Sequence, residues 1–194
     1  MRQMPRTGPA VRQLLTPFLL LVLIFGLAAP LRAGENQDYQ IILKLVRDGA
    51  LQTAAQQAET YLKHHPGGRH QLEVTGLLGR LLVETGRPAD ALPYLRKALK
   101  GLPAAKKGRL ILAQAKALVA LHQPDKALQT LKTLNPVPSS LLYAYRDTAA
   151  EAFLAKEKPK DAVRELSKIP FKSRSAAQDV TLGYALTLSG DNKE

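Results

Sequence analysis

The chain has 194 residues, with 28 Lys+Arg against 16 Asp+Glu and a formal charge of +12; at 45% hydrophobic it can bury a core and is too apolar for a disordered basic tail. It contains no Cys, which excludes disulfides, thiolate metal sites, thiol nucleophiles and Cys-linked lipid anchors. Only 5% of residues are aromatic and none is Trp, which argues against a stacking platform and against a nucleic-acid partner.

The N-terminus reads as an address. Arg2, Arg6 and Arg12 come first, no acid precedes Glu35, and a twelve-residue apolar run follows from Phe18 to Ala29. Pro30, Leu31, Arg32, Ala33 and Gly34 then supply a helix break and a small residue. Positive, apolar, small is the order of a secretory signal, and the run falls short of the about 20 residues of a spanning helix. Residues 1–33 are therefore expected to be removed at Ala33–Gly34, leaving an exported domain over 34–194. The alternative is an uncleaved membrane anchor in the uncharged stretch 13–31, whose regular part Pro17 and Pro30 shorten.

From there the sequence repeats. Gly86-Arg87-Pro88-Ala89-Asp90-Ala91-Leu92, His122-Gln123-Pro124-Asp125-Lys126-Ala127-Leu128 and Glu157-Lys158-Pro159-Lys160-Asp161-Ala162-Val163 align without gaps, and Gly49 to Ala55 shares their frame. The shared Ala recurs at 54, 91, 127 and 162, at spacings of 37, 36 and 35. Pro at a helix start costs no hydrogen bond. Small Ala lets the neighbouring helix come close, and Leu95, Leu131 and Leu166 fill the groove beside it. Pro66, Pro103, Pro136 and Pro170 mark where these second helices stop. Amphipathic runs over Leu72–Leu82, Leu110–Leu121 and Leu141–Leu154 supply a first helix for each. One such hairpin cannot hide its apolar surface alone, so hairpins stack.

The frame resembles a tetratricopeptide repeat array: Leu78-Gly79, Leu82, Gly86, Ala91, Leu95, Ala98 and Pro103 stand at that pattern's places. The fold expected is all-α, a solenoid of about four helix-turn-helix units plus the first helix of a fifth. Leu78, Gly79, Ala91, Leu95, Ala98, Ala127, Leu131, Ala162, Leu166, Leu182 and Gly183 are its packing residues. The pattern's aromatic places are mostly aliphatic here and the period is slightly long, which resembles the irregular arrays of bacterial envelope proteins. At the C-terminus, Ser175-Ala176-Ala177-Gln178 has the form of a capping box. Leu182-Gly183 opens a fifth unit whose second helix does not follow, so the sequence reads as part of a longer protein or as an array whose last unit is a lone first helix.

Chemistry is sparse. His64, His65 and His70 surround Pro66-Gly67-Gly68 without acidic or Cys partners at ligand spacing, so an exposed polar turn is expected rather than a metal site. Asp147 and Glu151 share a helix face, with Arg146 and Lys156 nearby to neutralise them as an ordinary solvated face. No cofactor and no catalytic constellation is expected. Charge says more: ten cations against Asp90 and Asp125 lie between Arg87 and Lys132. By the resemblance, first helices line a concave groove, and Arg80, Arg109, Lys116, Asp147 and Tyr184 face into it; Lys97, Lys100, Lys106 and Lys107 fall on the back or in loops. A basic groove attracts acidic partners. The function implied is a non-catalytic scaffold in a periplasm, or anchored to the inner membrane if residues 13–31 are retained, holding a segment of an envelope protein. The alternatives are the front of a longer enzyme whose catalytic domain lies beyond Glu194, an export component, or a binder of anionic wall polymers.

Overall fold

The computed structural model describes the backbone of residues 28–190 and the side chains of 34–190; most of the expected leader thus lies outside the described residues. Nine α-helices run through the described residues, with no strand among them. They are α1 (Ala28–Arg47), α2 (Leu51–His64), α3 (Gln71–Glu84), α4 (Pro88–Gly101), α5 (Ala104–Ala120), α6 (Pro124–Lys132), α7 (Leu142–Leu154), α8 (Pro159–Ser167) and α9 (Ala176–Ser189). Odd-numbered helices are the first of each pair and even-numbered ones the second. Each helix packs on its sequence neighbours. This is an all-α solenoid of four hairpins and one further first helix.

The repeated turn explains the pairing. Gly49, Gly86, His122 and Glu157, one in each hairpin, all take positive φ of 74°, 79°, 55° and 56°. Each is followed by an amide that reaches back across the helix end: Ala50 N–H to the Leu45 carbonyl, Arg87 to Leu82, Gln123 to Leu118 and Lys158 to Phe153. This left-handed residue satisfies orphan carbonyls and reverses the chain. Pro then stands at the start of α4, α6 and α8, where its fixed φ fits and its missing N–H costs nothing.

Small residues set the spacing between helices. Ala54, Ala91, Ala127 and Ala162 are all 0% exposed. Leu78, Leu95, Ala98, Leu131 and Leu166 are also fully buried, and Leu182 nearly so. At Gly79 an added Cβ would sit 2.7 Å from Leu95 Cγ and 3.1 Å from the Leu95 backbone nitrogen. Gly183 differs from that expectation: it is exposed, and nothing lies within 4 Å of its Cβ position. The same Leu-Gly pair packs in α3 because α4 folds back onto it, whereas no described helix follows α9. The core passes from hairpin to hairpin in three apolar clusters, over α1–α5, α5–α7 and α7–α9. None of them could be buried by one hairpin alone.

Three local expectations change. Helix α5 begins at Ala104, well before the apolar periodicity at Leu110, so Lys106 and Lys107 are helical. Pro30, expected to break a helix, lies in the first turn of α1, where proline is tolerated. The His turn is not simply an exposed loop. His65 Nε2 meets Asp38 Oδ2 at 2.8 Å, and the His70 ring stacks on Tyr39 with centroids 4.0 Å apart. Tyr61 Oη donates to Glu35 Oε1 at 2.6 Å, and the His70 amide donates to the same oxygen. The Tyr61 hydrogen bond holds the Glu35 carboxyl below its usual range, and burial pushes the Tyr61 phenol up. These contacts fasten α1 to the α2–α3 junction. The capping box at Ser175 and Gln178 forms in both directions.

Candidate functional site: the inner face of the solenoid

Successive first helices touch one another: α3 packs on α5, α5 on α7 and α7 on α9. This close approach puts the odd-numbered helices on the inside of the curve. Leu43, Arg80, Lys116 and Glu151 each stand eleven residues before the shared Ala of their hairpin. Tyr184 follows Leu182-Gly183 as Arg80 follows Leu78-Gly79. One repeat position therefore carries, in order along the inner face, an aliphatic side chain, two cations, a carboxylate and an aromatic ring.

The five residues expected in the groove separate into three places. Arg80 and Arg109 line one hollow of about 860 Å³ with Tyr39, Leu43, Leu77, Ile111 and Leu141. Lys106 and Lys107 line it too, against the expectation that they lie on the back or in loops. Lys106 is bound to Glu73, which also accepts from Tyr39 Oη at 3.1 Å and meets His70 Nδ1 at 3.2 Å. The Lys106 contact is the main reason the Glu73 carboxyl stays below its usual range. Arg80 reaches Glu84 only at 3.7 Å. Lys107 and Arg109 close no ion pair among the described residues. The hollow is thus apolar in its walls and cationic at its rim.

The second place joins Lys116 of α5 to Asp147 and Glu151 of α7. Burial pushes the Asp147 carboxyl up, with Lys116 and Gln178 opposing. Burial also pushes Glu151 up; Asp147 adds repulsion and Lys116 again opposes. The expected neutralisation by Arg146 and Lys156 does not occur. Arg146 turns to Glu165 of α8 at 3.2 Å, and Lys156 to Asp125 of α6. Glu151 was not expected in the groove, although its place eleven residues before Ala162 is the one Arg80 and Lys116 hold before Ala91 and Ala127. The third place is Tyr184, 59% exposed on α9 between Val180 and Leu188.

Among the described residues no group of His, Asp and Glu is arranged to hold a metal ion, and no described helix is long and apolar enough to cross a membrane.

Residues 82–137, from the end of α3 to just past α6, match the tetratricopeptide repeat family. Over that segment the chain is similar to tetratricopeptide repeats. No curated protein matches it. Tetratricopeptide repeats generally mediate protein–protein interaction, which supports a scaffold role. The Leu82, Gly86, Ala91, Leu95, Ala98 and Pro103 frame lies inside the matched segment.

Proposed function

We propose that this tetratricopeptide scaffold is non-catalytic, is exported to the periplasm, and holds an acidic, partly apolar segment of an envelope protein in its inner groove. The observation that carries this is the hollow between α1, α3 and α5, where Arg80, Lys107 and Arg109 stand above apolar walls. Carboxylates of an incoming segment meet cations that few acids of the chain itself satisfy, and its apolar side chains lose water against Leu43, Leu77 and Ile111. Apolar walls favour a peptide over a wall polymer, which would need only charge.

Captured from its native envelope, the full-length protein should lose partner affinity about tenfold or more on Arg80→Glu with Arg109→Glu, chiefly through slower association. The melting curve should fall only modestly. Arg109 is exposed, and the half-buried Arg80 gives up no more than a 3.7 Å contact with Glu84 and gains a like charge one turn away, each worth about 0.5 kcal/mol or less. Unchanged capture would assign these cations to solubility. Binding that collapses altogether between low and moderate salt would point instead to a polyanion.

Export rests on the leader. A cut at Ala33–Gly34 leaves Glu35, Asp38 and Tyr39 on the mature side, so the contacts that fasten α1 survive it. Mass spectrometry of the envelope protein should find a chain beginning at Gly34 or within a few residues of it. Intact Met1 in the membrane fraction would establish the anchor over 13–31.

A further inference from the structure

The two ends of the hairpins differ in charge. The helices of a hairpin run antiparallel and the hairpins stack side by side, so every first helix starts at one rim of the solenoid and every second helix ends there. That rim is built from four stretches, 63–72, 100–108, 132–143 and 167–176, which together hold nine Lys or Arg and no Asp or Glu. The opposite rim is built from the four hairpin turns, 47–52, 84–91, 120–127 and 155–162, with six cations and six acids. Charges kept only for solubility would favour neither rim. Lys63, Arg69, Lys100, Lys107, Lys132 and Lys172 close no ion pair among the described residues, and all but Lys107 are exposed. The acids in the adjoining helix turns are engaged internally. Glu35 accepts from Tyr61 and Asp38 meets His65. Lys106 binds Glu73, Lys168 binds Glu165 and Arg174 reaches Asp179. The cationic excess of this rim therefore faces outward.

We propose that the rim of inter-hairpin loops docks on an anionic lipid surface, laying the solenoid on a membrane with its hairpin turns outward. Three observations select lipid. The cations stand one loop after another along an edge, where a flat surface meets all four stretches at once and a ligand held in a groove does not. Helix α1 starts at the same rim, so the chain before it, uncharged from 13 to 31, arrives beside the cations. Basic residues next to an apolar segment bind the anionic headgroups that surround it. A cut at Ala33–Gly34 leaves all nine cations in place. Phe171, in the loop between α8 and α9, is 75% exposed with the Arg174 guanidinium 5.6 Å from its ring centre. An exposed ring among cations suits the headgroup boundary. Of the six unpaired cations only Lys107 lines the hollow, so this surface is distinct from the groove read above as holding a protein segment, and each can be tested without the other.

The chain has no cysteine, so one cysteine carrying a polarity-sensitive dye can be placed on either rim of the full-length protein. With vesicles of phosphatidylglycerol and phosphatidylcholine, the dye on Ser139→Cys should report contact and the dye on Ala89→Cys, at a hairpin turn, should not. The rim signal should fall about tenfold or more in vesicles of phosphatidylcholine alone. Lys132→Glu with Lys172→Glu should weaken vesicle binding about tenfold or more. Lys158→Glu with Lys160→Glu on the opposite rim removes as much charge and should change it little. Arg80→Glu with Arg109→Glu should also weaken it far less while reducing partner capture, so the two surfaces fail separately. Equal responses from the two dyes, or equal losses from the two lysine pairs, would show an attraction of net charge without direction and overturn the proposal. Tighter binding to soluble polyphosphate than to vesicles at equal phosphate would assign the rim to a polyanion and overturn it as well.

Discussion

Leu95→Ala should lower the unfolding free energy by about 3–5 kcal/mol, the cost of emptying a fully buried leucine site, and Gly79→Ala by roughly 1–3 kcal/mol through overpacking. The two residues are halves of one contact. The Cβ that alanine adds at 79 would lie 2.7 Å from Leu95 Cγ and 2.9 Å from its Cδ2. Shortening Leu95 removes both atoms from its path and leaves a space that the new methyl partly fills. The double variant should therefore be more stable than the sum of the single effects by about 1 kcal/mol or more. The Leu95 backbone nitrogen at 3.1 Å remains, so the rescue is incomplete. Gly183→Ala is the control. It occupies the same place in the Leu-Gly pair, sits inside α9 and meets nothing within 4 Å. There alanine should stabilise the helix by about 0.5–1 kcal/mol, its propensity advantage over glycine. Urea unfolding of the four proteins checks the series. Equal effects at Gly79 and Gly183 would show that α3 and α4 do not pack through this contact.

That pair of glycines shows how far the sequence could be read. The hairpin frame was legible because its signals are local and repeat: Pro at a helix start, Ala eleven residues beyond the inward position, and a stop after the second helix. What each residue touches depends on the neighbour that arrives, so one motif buried Gly79 and left Gly183 open. The His turn was misread for a related reason. Asp38 and Glu35 lie 27 and 35 residues from His65 and His70 in sequence, a distance at which no spacing rule joins them. The resemblance places Lys106 and Lys107 on the back or in loops, whereas they stand on a helix and line the hollow. The helix there rests on alanines of high propensity and on the Lys106 contact with Glu73. At Asp147 and Glu151 the reading assumed that cations close in sequence are close in space. Tertiary packing instead sends Arg146 and Lys156 to the second helices, and the carboxylates keep the inner face.

Those carboxylates should cost stability at neutral pH. In both, burial holds the folded-state pKa above the unfolded one, and at Glu151 the neighbouring Asp147 adds to the shift. The folded protein thus binds protons more readily than the unfolded chain at these sites. Their contribution to stability is fully present below the unfolded pKa values, about 3.9 for Asp and 4.3 for Glu, and is lost as pH rises through the folded values. Asp147→Asn with Glu151→Gln cannot ionise and escapes that loss. It should be more stable than the wild type at pH 7, with the advantage shrinking toward pH 4. Glu35 and Glu73 behave oppositely. Their carboxyls are held below the usual range, so they stabilise the fold above the unfolded pKa and stop doing so as pH falls through their folded values. As pH falls, the inner face is therefore relieved first and α1 loosens only at lower pH. Urea titrations of the amide variant and the wild type at pH 7 and pH 4 separate the two effects, because only α7 differs between them. A variant less stable than wild type at pH 7 would mean that the attraction of Lys116 outweighs burial and that the pair is structural. The expected gain instead marks Asp147 and Glu151 as charges kept where the fold would be steadier without them. Such groups concentrate where a ligand's charge completes the balance.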